Sequence, residues 1–162
     1  MIMKRNAFTL IELMIVIGII GLLATVIGAS VNSARTKSRD GKRIADLSQI
    51  QKAFSVAYGQ LGLYPVGSNV TLGVGTAKVL CGKGQNVVLA ADVSPANCDS
   101  GKIYMGLVPQ GQINPYIYNT TNTTTNMRVC TTLEIGNPQL NVGSGPIAVD
   151  ESSNVKNVGS CP

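Results

Sequence analysis

The stretch Lys4–Val31, KRNAFTLIELMIVIGIIGLLATVIGASV, decides how this chain is read. Two cations and a small residue come first; then 24 residues, Phe8 to Val31, hold a single ionisable group, Glu12. At about 1.5 Å of rise per residue the run makes roughly 36 Å of helix, enough to cross the ~30 Å hydrocarbon layer of a bilayer. It exceeds the ~7–15 apolar residues of a secretory signal peptide. A membrane anchor accounts for the run but not for Glu12. A carboxylate in an apolar helix costs on the order of 2.5–3.5 kcal/mol near the bilayer centre, less toward an end, and it needs a partner. The nearest cations, Lys4 and Arg5, precede Ala7. Cleavage between Ala7 and Phe8 would create an ammonium at Phe8, four positions from Glu12, able to pair within one helix or between neighbouring copies.

Lys4-Arg5-Asn6-Ala7-Phe8-Thr9-Leu10-Ile11-Glu12-Leu13 resembles the class III signal of type IV pilins and pseudopilins. The resemblance implies that a membrane peptidase cuts after a small residue and methylates the new N-terminal Phe. On this chain that makes Ala7–Phe8 the scissile bond, Phe8 the N-methylated residue and Glu12 the carboxylate that registers the subunit in a helical filament. Ala7 stands where glycine is usual, and alanine is also small. The partners implied are the prepilin peptidase and methylase, an inner-membrane assembly platform, the membrane, and further copies of the chain in a homo-oligomeric filament. The location implied is a single-pass prokaryotic membrane subunit before assembly and a cell-surface pilus after it.

Composition narrows the chemistry. The 162 residues contain no histidine and eight carboxylates, so neither a Ser/His/Asp nor a Cys/His set can form. No catalytic residue, metal site or cofactor is expected, and the chain reads as a non-enzyme. The net charge of +5 is uneven: residues 1–60 carry all of the excess, while residues 61–162 balance five cations with five acids. The basic pI of about 9.2 therefore belongs to the N-terminal part and does not mark the head as a nucleic-acid binder. Lys78, Lys83, Lys102, Arg128 and Lys156, with Tyr104, Tyr116 or Tyr118 to stack bases, make a nucleic-acid patch possible but unsupported. Cations after the anchor (Arg35, Lys37, Arg39, Lys42, Arg43) outnumber those before it, which by the positive-inside rule would keep the head cytoplasmic. The leader pattern and the cysteines argue the reverse.

Cys81, Cys98, Cys130 and Cys161 all follow the anchor, without a CxxC pair. An even count in a tethered domain reads as two disulfides in an oxidising compartment. Of the three connectivities, Cys81–Cys98 with Cys130–Cys161 is favoured because each closes one loop without crossing. Free buried thiols are the alternative.

Outward from the anchor, Gly18, Gly21, Thr25 and Gly28 recur at three and four, a small-residue face suited to close helix packing in membranes. Ile44, Leu47, Ile50, Phe54, Ala57 with Tyr58, and Leu61 continue the helical period as an amphipathic stripe. Gly41 is its weak point, costing about 1 kcal/mol against alanine. Asp46 lies one turn after Lys42, and Gly59, Gly62 and Pro65 stop the helix. Strands are expected at 70–74, 86–91, 103–108, 115–118 and 127–135, with a tail over 136–162. The order through Tyr64-Pro65, Leu107-Val108-Pro109 and Tyr116-Ile117-Tyr118 is similar to the pilin head. The resulting division is 1–7 leader peptide, 8–31 transmembrane and assembly helix, 32–61 amphipathic spine helix and 62–162 globular head. The fold class is α+β, a long N-terminal helix packed on a small antiparallel sheet.

Asn69, Asn119 and Asn122 fit the N-x-S/T glycosylation pattern, although ordinary turn composition produces it as readily. Asp150-Glu151 could contribute to a Ca²⁺ site, but few other carboxylates exist to complete one. The resemblance implies the structural subunit of a type IV pilus-like filament; the alternatives are a type II secretion pseudopilin and, from a different class, a monomeric membrane-anchored surface binding domain.

Overall fold

The computed structural model describes residues 8–111, 113–120, 126–152 and 154–161. The chain is α+β. Helix α1, Leu10–Leu61, is followed by eight strands: β1 Gly67–Thr71, β2 Val79–Lys83, β3 Asn86–Ala90, β4 Ile103–Met105, β5 Ile117–Thr120, β6 Met127–Asn137, β7 Val142–Asp150 and β8 Val155–Asn157. All strand pairings are antiparallel. The chain divides into two compact units between Thr36 and Lys37.

In the first unit α1 is apolar on every side from Leu13 to Leu23. It is the one helix among the described residues long and apolar enough to cross a membrane, with an 18-residue window of mean hydropathy 2.7 and none of that window buried. Two hydroxyls bond back within the helix: Thr25 Oγ1 donates to the Leu22 carbonyl at 2.7 Å and Thr36 Oγ1 to that of Asn32 at 3.0 Å. Such back-bonding is how a hydroxyl is carried where water is scarce.

In the second unit the remainder of α1 packs on the sheets. Leu47, Ile50, Ala53, Phe54 and Ala57 are buried at three- and four-residue steps, against Tyr116, Tyr118, Met127, Val129, Leu133, Ile147 and Val149. Phe54 stacks on Tyr118 with ring centroids 4.9 Å apart, and Tyr58 on Tyr64 at 4.6 Å. Ile44 and Leu61 are half-buried and Tyr58 is largely open, so the buried stripe is narrower than the apolar one. Gly62, at φ +67, takes the left-handed conformation that ends the helix.

The head holds two sheets where the sequence suggested one. The larger has the order β1-β5-β6-β7-β8 and the smaller β3-β2-β4. β2 escaped the sequence reading because Gly82 and Lys83 interrupt its apolar run. β7 and β8 lie in what read as a tail, since Gly143, Gly145 and Pro146 resemble a loop. Pro146 is tolerated inside a five-stranded sheet for a visible reason. Its carbonyl accepts from Val158 N at 3.0 Å, so its missing N–H faces the β8 side, beyond the three-residue β8 ladder. The β6–β7 pairing therefore loses no donor. β1 carries an irregularity between Gly67 and Val70, where Asn69 adopts φ +55. Disulfides join Cys81 on β2 to Cys98 and Cys130 on β6 to Cys161.

Candidate functional site

Two places in α1 carry chemistry. The first is its beginning. Thr9 stands immediately before Leu10, and its Oγ1 accepts from Glu12 N at 3.3 Å. The Glu12 carboxylate turns back and accepts from Thr9 N and Thr9 Oγ1, each at 2.8 Å. This reciprocal pair is a capping box, and it satisfies two helix-end donors at once. The signal was present in the sequence as Thr9-x-x-Glu12. Phe8, 89 % exposed, precedes the helix. Ala7 lies outside the described residues, as does Asn122. From Phe8 to Gly28 every residue is exposed, and added Cβ atoms at Gly18, Gly21 and Gly28 would meet nothing within 4 Å. The small-residue positions thus line open helix surface.

The second place lies where the head begins. Asp40 is only 1 % exposed, yet it is a carboxylate in mid-helix. Its Oδ2 accepts from the backbone N–H groups of Glu134 at 3.1 Å, Ile135 at 2.8 Å and Gly136 at 3.1 Å; Oδ1 accepts from Glu134 N at 3.0 Å. Arg43 donates to Oδ1 at 2.6 Å and also to Glu134 at 2.8 Å, while Arg39 grips Glu134 through Nε at 2.9 Å and Nη2 at 2.6 Å. Three successive amides converge because β6 bulges between Leu133 and Gly136. Gly136 is required there: it sits at φ +95, and a Cβ would lie 2.4 Å from the Gly143 carbonyl carbon. Burial pushes the Asp40 carboxyl up, but the three amides and Arg43 outweigh it and hold the group below its ordinary value. Hydrogen bonds from Arg39 and Arg43 lower Glu134 to about 2. One turn on, Asp46 accepts from Tyr116 Oη at 2.7 Å instead of facing Lys42 across solvent. Burial, then the Asp46 carboxylate, push the Tyr116 phenol above the usual range; burial does the same to Tyr118, whose hydroxyl donates to the Pro65 carbonyl at 2.6 Å.

The other candidates disperse. Tyr116 and Tyr118 are buried and unavailable to stack on bases. Lys83 and Lys102 lie against Asp99 at 3.7 and 3.5 Å, and Lys156 against Asp150 at 3.0 Å. The Asp150 carboxylate also accepts from the amide and hydroxyl of Ser152, and Glu151 accepts from Asn126 N at 3.1 Å. Among the described residues no three His, Cys, Asp or Glu side chains are grouped to hold a metal ion. Asn69 N donates to the Asn119 side chain at 2.7 Å, which ties these two acceptor-pattern residues to each other.

Residues 2–28 match the model of the prokaryotic N-terminal methylation motif. That motif is the class III signal of type IV pilins and pseudopilins. It supports a processed, structural subunit of the type IV pilin or pseudopilin kind, and with the apolar helix it fits membrane anchoring before assembly. The methylation motif ends within the first unit, at Gly28, and the head lies outside it. No curated protein and no solved structure matches the chain.

Proposed function

We propose that the chain is the structural subunit of a type IV pilus-like filament. Prepilin peptidase cuts between Ala7 and Phe8, Phe8 is N-methylated, and the apolar part of α1 moves from the bilayer into the filament core. The observation that carries this reading is a helix with no buried residue from Leu10 to Gly28, all of it within the residues that match the methylation motif. Such a surface needs lipid or other helices to cover it. Glu12 is held by Thr9 in the single chain, and in the filament its charge is met by the Phe8 ammonium of the same or a neighbouring copy. Gly18, Gly21 and Gly28 allow close approach between helices. Two disulfides fit a head held in an oxidising compartment, whether outside the cell or in the periplasm.

The test is Glu12→Leu in cells that display the fibre. Surface fibres should disappear while the membrane-inserted subunit remains. Retention of the head at the surface with unchanged activity and no fibre in wild-type cells would favour a monomeric anchored binding domain. Intact-mass analysis of sheared filaments should find a chain beginning at N-methylated Phe8, and a chain retaining Met1 sinks the processing step.

A further inference from the structure

The cations that follow the anchor have no assigned role. Arg39 and Arg43 are committed to Glu134 and Asp40, but Lys37 and Lys42 are exposed and make no hydrogen bond or ion pair among the described residues. Of the three acids of the region, Asp40 and Glu134 are paired with the arginines and Asp46 is buried against the Tyr116 hydroxyl, so among the described residues no acid lies within ion-pair distance of either lysine. Asp40's bonds to Glu134, Ile135 and Gly136 bring the turn end of the β6–β7 hairpin to this part of the helix. There the head exposes apolar side chains it has no core use for. Ile135 is 46 % exposed and Leu140, on the 3₁₀ turn at the hairpin tip, 47 %. Ile113, 68 % exposed, borders a small crevice that Arg39 and Lys42 also line.

We infer that this end of the head, Lys37 and Lys42 with Ile113, Ile135 and Leu140, is a lipid-contact surface that rests on anionic phospholipid headgroups while the subunit waits in the membrane. Three things select lipid as the occupant. Lys37 follows the apolar run by six residues in the chain, counted from Val31, so chain connectivity keeps it within reach of the headgroups when that run spans a bilayer. Uncompensated lysines beside exposed apolar residues are the pairing that binds a charged interface, the ammonium at phosphate and the apolar side chain at the acyl boundary. The acids beside the patch are engaged, Asp40 and Glu134 in ion pairs and Asp46 with the Tyr116 hydroxyl, which leaves no exposed, unpaired acid among them to repel such a surface. The inference also bears on the charge pattern after the anchor: Arg39 and Arg43 serve the head's own ion pairs, and Lys37 and Lys42 serve lipid contact rather than orientation. It rests on the membrane-anchor reading of α1 and not on filament assembly.

The chain contains no tryptophan, so Leu140→Trp supplies a unique fluorophore at the hairpin tip. The full-length variant is reconstituted into vesicles of phosphatidylcholine brominated close to the headgroup, with or without phosphatidylglycerol. Flotation reports the anchor, and quenching reports the head's contact. Quenching should be strong with phosphatidylglycerol and weak without it. It should fall when salt rises from about 0.1 M to about 1 M, as the screening length drops from about 10 Å to about 3 Å. Lys37→Gln with Lys42→Gln should lower the ratio of docked to undocked heads about 25-fold, roughly fivefold for each near-surface cation. Val66→Trp, beyond the other end of α1, should stay unquenched in a chain that floats equally well. A chain that floats without quenching at Leu140→Trp overturns this inference alone. So does quenching that ignores both salt and the lysine substitutions, or protection that follows protein concentration rather than lipid composition, the mark of a second copy as occupant. A chain that fails to float overturns the anchor reading and this inference with it.

Discussion

Replacing Asp40 by alanine should be among the most damaging single changes in the head. The carboxylate is 1 % exposed and accepts from three consecutive amides of the β6 bulge and from Arg43. Alanine leaves those amides without their acceptor and Arg43 with Glu134 alone. Each buried donor stranded costs about 1–3 kcal/mol, and removing one member of a buried ion pair costs about 3–5 kcal/mol. These losses share one carboxylate, so they do not sum; about 3–5 kcal/mol is the expected total. Against a domain stability of about 5–15 kcal/mol that is a large fraction. The measurement is urea denaturation of the full chain in mild detergent, followed by the near-ultraviolet dichroism of the buried Tyr116 and Tyr118. The midpoint should fall with little change in slope. Asp40→Asn should recover part of the loss, because its one carbonyl oxygen can still accept while its amide nitrogen opposes the remaining donors. A loss below about 1 kcal/mol for Asp40→Ala would place this carboxylate among ordinary surface ion pairs and refute the reasoning.

Two further outcomes follow from the same region. Asp40 and Glu134 are both held below their ordinary values, Glu134 at about 2, so the stability they contribute is complete above the unfolded carboxylate range and is lost as pH falls through about 4 toward 2. Denaturation midpoints measured across that window should fall in the wild type and flatten in Glu134→Gln. Tyr116→Phe removes the donor to buried Asp46 and should cost about 1–3 kcal/mol in the same denaturation assay, more than a surface Tyr58→Phe control.

The parts of the fold that repeat were legible from residues alone. An uninterrupted apolar run and a stripe at three and four leave little choice but a long helix, and Leu47, Ile50, Phe54 and Ala57 are buried where that period puts them. Asp40 was not legible. Flanked by Arg39 and Lys42 on a helix, it has the look of a solvated charge, and its true partners are backbone amides, which leave no mark in sequence. The same holds for Asp46, which takes its hydrogen bond from a tyrosine 70 positions away. β7 was hidden by two glycines and a proline, each acceptable only because of what its neighbours do: Gly145 sits at positive φ, and Pro146 turns its bare nitrogen away from β6. At the helix start the Thr9-x-x-Glu12 spacing of a capping box is present in the sequence, but a lone carboxylate in an apolar run signals a buried charge as strongly as a cap.

The borders of the larger sheet have a consequence for a chain proposed to polymerise. Strand edges are open templates, and a subunit crowded beside its copies risks pairing through them. Here one border, β8, is three residues long with Lys156 at its centre, and Cys161 is stapled to β6 just beyond it. The other, β1, is broken by the irregularity at Asn69. Neither border offers a long flat ladder to a neighbour. Through this sheet, growth by strand pairing is disfavoured, which keeps a reversible, helix-mediated route apart from the irreversible one that leads to amyloid.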